Sequence, residues 1–213
     1  MFRYESFFGR LMTKVFDLMM LNMLFIMTSL PIVTIGSSLT ALYASTLEMA
    51  QKNENSVYKI YFTAFKDNFK QATIFWLFLL GFLIILVNNL KIVLNSGIKM
   101  VGVIPLTYFF ITLLLVCSVL IFPIINQFKN SYFVTLKNTF LILLGFLPQI
   151  LLMVIVTFGP LFFATFLSSW FYGILIYFYL IIGCAGTCFI NSFFLNRIFI
   201  KILHSKEELA ASN

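Results

Sequence analysis

Long apolar runs separated by short basic stretches set the pattern of this chain. A helix needs about 20 mostly apolar residues to cross a hydrocarbon core of about 30 Å. Three runs reach that length, at residues 15–35, 72–90 and 101–125. From Asn138 to Asn196 there is no charged residue. That stretch is too long for one crossing. It divides into a fourth span over 139–158 and a fifth over 171–196, with breaks at Gly159-Pro160 and Ser168-Ser169-Trp170. The fold class that follows is an all-α integral membrane protein. It comprises five transmembrane helices and a short helix over 37–51, in one polytopic membrane domain of residues 1–213 with a polar tail over 197–213.

The segment 37–51 admits two readings. Leu39, Leu42, Tyr43 and Leu47 form an apolar stripe at helical spacing, as in an amphipathic helix lying on the membrane. Alternatively it returns through the bilayer as a sixth crossing, although a helix of this length reaches only about 22–25 Å. Charge counting bears on the choice. With five crossings, Lys52, Lys59, Lys66, Lys70, Lys129, Lys137, Arg197, Lys201 and Lys206 share one side, against Arg3, Arg10, Lys14, Lys91 and Lys99. With six, Arg3, Arg10 and Lys14 join the first side and only Lys91 and Lys99 remain opposite. Cytoplasmic loops collect Lys and Arg. The second arrangement is therefore favoured, with both termini in the cytoplasm.

Composition sharpens this picture. Hydrophobic residues make up 62% of the chain and charged residues 10%. Soluble domains run near half apolar and about a quarter charged, so the bilayer is the expected solvent and partner. The net charge of +7 is spread between the apolar runs and forms no single patch, which argues against nucleic acid. Cys117, Cys184 and Cys188 all lie in apolar segments and form no disulfide framework. The run from Val15 to Ile35 is too long for the core of a secretory signal.

Candidate chemistry is sparse. Asp17 sits within a turn of Lys14 and reads as an ion-paired or snorkelling end residue. Amides occur within the spans, among them Asn22, Asn88, Asn89, Gln149 and Asn191, suited to hydrogen bonds between helices or to lining a solute path. The run Gly183-Cys184-Ala185-Gly186-Thr187-Cys188 predicts close helix packing through Gly183, Gly186 and Thr187. Cys184 and Cys188 share a helix face, but the one histidine, His204, lies beyond it, so packing is preferred to metal ligation. Pro31, Pro105, Pro123, Pro148 and Pro160 each kink or end a helix. There is no phosphate loop, nucleophile elbow or paired-histidine motif. The expectation is no enzyme, and no catalytic, cofactor or metal site.

Two segments echo each other. Residues 61–69 (YFTAFKDNF) and 132–140 (YFVTLKNTF) share Y-F-x-x-[F/L]-K-[D/N]-x-F, and each precedes a span. This fits a duplicated helix-pair unit. In the first copy Phe62, Phe65 and Phe69 share one helical face, while Lys59, Lys66 and Lys70 lie largely off it. The segment 52–71 thus reads as a cytoplasmic interfacial helix with basic headgroup contacts, or as a docking helix for a partner.

Leu30-Pro31-Ile32-Val33-Thr34-Ile35-Gly36, then Ala41-Leu42-Tyr43, then Phe65-Lys66-Asp67-Asn68-Phe69-Lys70-Gln71-Ala72-Thr73 resemble the YesL family. These are small multi-spanning proteins, mostly of Gram-positive bacteria, whose domain has no known function. The resemblance is specific over about residues 7–85; beyond that it rests on hydropathy and length. Its motif positions here are Pro31, Thr34, Gly36, Tyr43, Phe65, Lys66, Asn68, Phe69, Lys70 and Gln71. It implies a bacterial plasma-membrane protein, accessory to a carbohydrate ABC importer permease or a membrane sensor kinase, and it supplies no mechanism. The alternative is a small-solute transporter or channel. In the motif, Pro31 and Gly36 suit a helix end and a helix start, and Ser37 or Ser38 suits the cap between them.

Overall fold

The computed structural model describes residues 7–51, 56–95, 102–164 and 169–211. Arg3, Lys52, Lys99 and Ser168 lie outside them. Among the described residues every regular element is helical. In order these are α1 (Phe7–Ser29), α2 (Ile35–Ala50), α3 (Val57–Asn95), α4 (Val103–Phe128), α5 (Tyr132–Gly145), α6 (Leu147–Ala164), α7 (Ser169–Phe178) and α8 (Cys184–Ala211). A 3-10 turn over Ile32–Thr34 precedes α2, and a π turn over Tyr179–Gly183 joins α7 to α8. Five stretches are long and apolar enough to cross a membrane: Phe8–Ser29, Val57–Asn95, Val103–Phe128, Leu147–Ala164 and Tyr172–His204. The chain is a multi-pass membrane protein.

Several boundaries depart from the hydropathy pattern, each for a local reason. The first helix ends at Ser29, not near Ile35. A helix is disfavoured at the residue before a proline, and Pro31 itself is extended (φ −74°, ψ 113°). The expected interfacial segment 52–71 and the span 72–90 are not separate. From Val57 onward they form the single 39-residue helix α3, about 58 Å long. The fourth span starts later than expected. The chain breaks at Phe146 (φ −129°, ψ 31°), just ahead of Pro148, which lacks an N–H to extend α5. Pro160 is carried inside α6 instead, as membrane helices tolerate.

The largest difference concerns the short helix. Twelve of the sixteen residues of α2 are buried, polar and apolar alike. It is not a surface helix; it doubles back against α1 and α3, as in the sixth-crossing reading, but inside the bundle, with α1, α3, α4 and α8 packed around it. Small residues make this possible, in rows four apart: Gly36, Thr40 and Ala44, and Ser37, Ala41 and Ser45. The hydroxyls turn back on the helix. Thr40 Oγ1 donates to Gly36 O (3.0 Å) and Thr46 Oγ1 to Leu42 O (3.0 Å). Ser45 Oγ donates across to Val57 O (3.1 Å). Ser37 and Ser38 are not caps: both donate to Thr34 O, at 2.9 and 3.0 Å.

Contacts fix the directions. Gly36 lies against Ala72 and Ser45 against Val57, so α2 and α3 are antiparallel. Thr46 pairs with Ser192 (2.9 Å) and Gln51 with Asn196 (3.3 Å), so α2 and α8 run the same way. Asn22 meets Ala185, and Lys14 stands over the Phe189 ring at 6.0 Å, so α1 opposes α8. The start of α1, the end of α2 and the start of α3 therefore share one end of the bundle.

The α2–α3 approach is closest at Gly36. A Cβ there would collide with Ala72 O and come within 2.6 Å of Trp76 Cβ. Gly36 thus serves the packing of two helices more than the start of one. Trp76 Nε1 adds a bond to Ile32 O (2.8 Å), holding the turn against α3. Gly36→Ala is expected to lower stability by about 1–3 kcal/mol. Gly81, where an added methyl would find no atom within 4 Å, gives the comparison: Gly81→Ala is neutral or slightly stabilising. Thermal unfolding of the two variants in detergent checks this.

Candidate functional site

The π turn is the main irregularity within the membrane part of the structure. Such turns interrupt the regular backbone ladder, and hydrocarbon supplies no water to complete it. Asn22, fully buried on α1, completes it instead. Its Nδ2 donates to Tyr179 O (3.0 Å) and Leu180 O (2.8 Å), and its Oδ1 accepts from Ala185 N (3.0 Å). Within the turn, a Cβ on Gly183 would lie 2.8 Å from Tyr179 Cγ. The glycine therefore seats the tyrosine ring.

A second amide joins three helices. Asn191, fully buried on α8, donates through Nδ2 to Thr157 Oγ1 on α6 (2.8 Å) and to the Tyr43 hydroxyl on α2 (3.4 Å). Its Oδ1 has no partner, nor has the buried hydroxyl of Tyr179. Beside these groups lies a cavity of about 340 Å³. Its walls are mostly apolar, among them Trp76, Leu79, Leu115, Phe122 and Leu161. Tyr43, Tyr179, Cys184 and Cys188 also line it.

A polar junction forms at the end of the bundle where α3, α4 and α5 meet. Asn68 Nδ2 donates to Ala64 O (2.9 Å) and reaches Asn126 Oδ1 (3.5 Å). Gln71 Nε2 donates to Asn130 O (2.9 Å) and Thr135 Oγ1 (3.1 Å). Lys129 ends α4 in the left-handed region (φ 41°) and pairs with Asp67 at 3.6 Å. Both side chains of that pair are exposed, so it adds little stability. A cleft of about 470 Å³ opens here, bordered by Glu48, Lys59, Thr63, Asn68, Asn126 and Lys129. Nearby, Asp17 accepts a hydrogen bond from the Tyr58 hydroxyl (2.9 Å).

Residues 18–90 match the family model described as "Protein of unknown function, DUF624". The match takes in most of α1, the turn, α2 and α3 to Leu90, which is the part of the chain that carries the motifs above. No curated protein and no solved structure matches the chain.

The motif positions fall into two groups within the matched stretch. Pro31, Thr34 and Gly36 build the turn and its seat on α3. Thr34 Oγ1 donates to Thr28 O and to Pro31 O (2.7 Å). Asn68 and Gln71 tie the polar junction, while Lys66, Phe69 and Lys70 are exposed above it. Phe65 is partly buried and meets Phe69 edge-on at 5.6 Å. Tyr43 belongs to neither group and faces the cavity.

The remaining candidates scatter. Asn88 and Asn89 are exposed towards the end of α3, and Gln149 is half-buried at the start of α6 with Oε1 unpartnered. In the GCAGTC run, Ala185 is the fully buried residue. Gly186 has no atom within 4 Å of a would-be Cβ, and Thr187 bonds back to Cys184 O (2.9 Å).

The two echoed segments share a burial register. Ala64 and Asn68 are buried, as are Thr135 and Thr139; Phe62, Lys66 and Phe69 are exposed, as are Phe133, Lys137 and Phe140. Gln71, just past the first copy, bonds Thr135 in the second. Sequence reasoning found Asn22 and Asn191 as amides but not their partners, since nothing local marks Tyr179–Gly183 as a π turn. Replacing Asn22 by Leu strands two carbonyls and one N–H, and is expected to cost about 1–3 kcal/mol. Asn88→Leu, at an exposed position, is expected to be near neutral. Thermal unfolding in the same detergent compares the two.

Proposed function

We propose that this protein is a non-enzymatic accessory or regulatory subunit for a carbohydrate ABC importer permease or a membrane sensor kinase in a bacterial plasma membrane. The observation that carries the reading is the construction of the polar junction. Asn68 and Gln71 are turned inward and bind α3 to α4 and α5. Lys66 and Lys70, with Phe62 (44% exposed) and Phe69 (41%), are turned outward from the same helix. A braced helix presenting mixed aromatic and basic side chains suits a protein partner, since aromatic anchors dominate binding energy. The resemblance to the YesL family points to the sugar-uptake partners. The buried amides Asn22 and Asn191 bond to backbone and to neighbouring side chains, which favours a binding role over a hydrophilic solute path.

Orientation follows from charge. Arg10, Lys14, Lys59, Lys66, Lys70, Lys129 and Arg197 gather towards one end of the bundle, and Lys91 lies towards the other. The positive-inside rule supports a cytoplasmic position for the first end, with the junction.

Copurification tests the reading. The protein, tagged and extracted in mild detergent from its native host grown on several sugars, should bring down a permease or sensor kinase in stoichiometric amount. The Lys66→Ala/Phe69→Ala/Lys70→Ala variant should lose that partner while its thermal unfolding stays unchanged. Recovery of the protein alone on every sugar would count against the accessory role.

A further inference from the structure

We infer that the interior cavity is a binding site for one hydrocarbon chain of a membrane amphiphile, entered sideways between α6 and α8. The cavity of about 340 Å³ lies between α1, α2, α3, α4, α6 and α8 and is partly open, Leu161 in its wall being 48% exposed. Native interiors are close-packed and leave few voids larger than a water molecule. An apolar cavity of about 150 Å³ already takes up benzene and stays dry. This one is more than twice that size, and its walls are dominated by Leu, Phe and Trp side chains, so water fills it poorly. Inside a bilayer the apolar species at hand is the acyl chain.

A route in is visible. A second cavity of about 710 Å³ lies along α6 and α8, lined by Ile155, Gly159, Phe163, Gly183, Gly186 and Ile190. Tyr179 and Thr187 line both cavities, so the two adjoin there. The outer one is floored by glycine: Gly186 has open space where a Cβ would stand. Tyr179 stands at this junction, and its hydroxyl is buried without a partner. A buried hydroxyl left unpaired is costly, and a carboxyl, ester or hydroxyl oxygen at the head of the chain would satisfy it. The tail then occupies the inner cavity with the oxygen-bearing end at Tyr179. The π turn braced by Asn22 holds that tyrosine in place.

Photo-cross-linking tests this on the full-length protein in phosphatidylglycerol nanodiscs. Two probes carry a diazirine near the chain end: palmitate, and phosphatidylglycerol labelled in one acyl chain. Labelled peptides are mapped by mass spectrometry, with unlabelled palmitate and a short-chain phosphatidylglycerol as competitors. The expected result is competable labelling of the inner wall, on Leu80, Leu83 or Leu115, by at least one probe. Which probe and competitor succeed tells a free fatty acid from a phospholipid chain, and either fulfils the inference. Ser118→Phe fills the inner cavity and should abolish the competable labelling while leaving that of outward residues such as Phe78 and Phe162. Gly186→Leu projects into the open groove, so it should fold even where Ser118→Phe does not, and should abolish the same labelling. Labelling confined to outward residues, labelling that no competitor reduces, or inner labelling unchanged in Gly186→Leu would overturn the inference.

Discussion

Within a bilayer, helices gain little by hiding apolar surface from one another, because lipid is equally apolar; close packing and internal hydrogen bonds hold them together. α2 is built to meet that constraint. Gly36 lets it touch the backbone of α3, and its small residues let α1, α3, α4 and α8 surround it. Its hydroxyls bond back to their own helix, or to α3 and α8, so burying them leaves few donors unpaired. A bulkier helix of the same length would hold its neighbours apart.

The rest of the interior follows from that arrangement. With α2 at the centre, α8 is brought alongside it and α1 lies across α8. Asn22 then faces the π turn, and Asn191 reaches both Tyr43 and Thr157. Beyond the start of α2, α3 and α4 continue past the turn at Ile32–Thr34, and the cavity opens between them, α6 and α8. The short central helix and the cavity are thus two aspects of one arrangement. At the opposite end the same helices close on a polar junction that carries the exposed Lys66, Phe69 and Lys70.

Much of this was legible in the residues. Length and hydropathy gave an all-helical bundle with five long apolar stretches, because about 20 apolar residues in a row have few other uses. The charge distribution favoured bringing the start of α1 and the start of α3 to the same side, as the α1–α2 hairpin does. The burial of α2 was harder to read. Its Leu39, Leu42, Tyr43 and Leu47 stripe looked amphipathic, since a Ser or Thr counts as polar by composition. The signal that identifies it is the four-residue spacing of Gly36, Thr40 and Ala44 beside Ser37, Ala41 and Ser45. The break at Phe146 lay in a run where two prolines, Pro148 and Pro160, offered rival sites, and local composition alone does not rank them. The π turn depends on Asn22, about 160 residues away in sequence, so no local pattern announces it. Of the motif positions, Gly36 and Asn68 acquire a physical reason only once α3 lies beside α2 and α4.

The burial of α2 is open to direct test by cysteine accessibility. Single cysteines at Ser37, Ala41, Ala44 and Ser45 sample the small-residue face of the helix, opposite the Leu39, Leu42, Tyr43 and Leu47 stripe, in a background with Cys117, Cys184 and Cys188 replaced. Thr63 and Lys66, exposed at the polar end of the bundle, serve as outward comparison sites. Labelling of the folded protein in detergent with a small maleimide is followed before and after unfolding. The account predicts that all four α2 positions stay unreactive until the protein unfolds, while the outward sites react at once. Ready reaction at this face of α2 in the folded protein would contradict it and return the helix to the membrane surface.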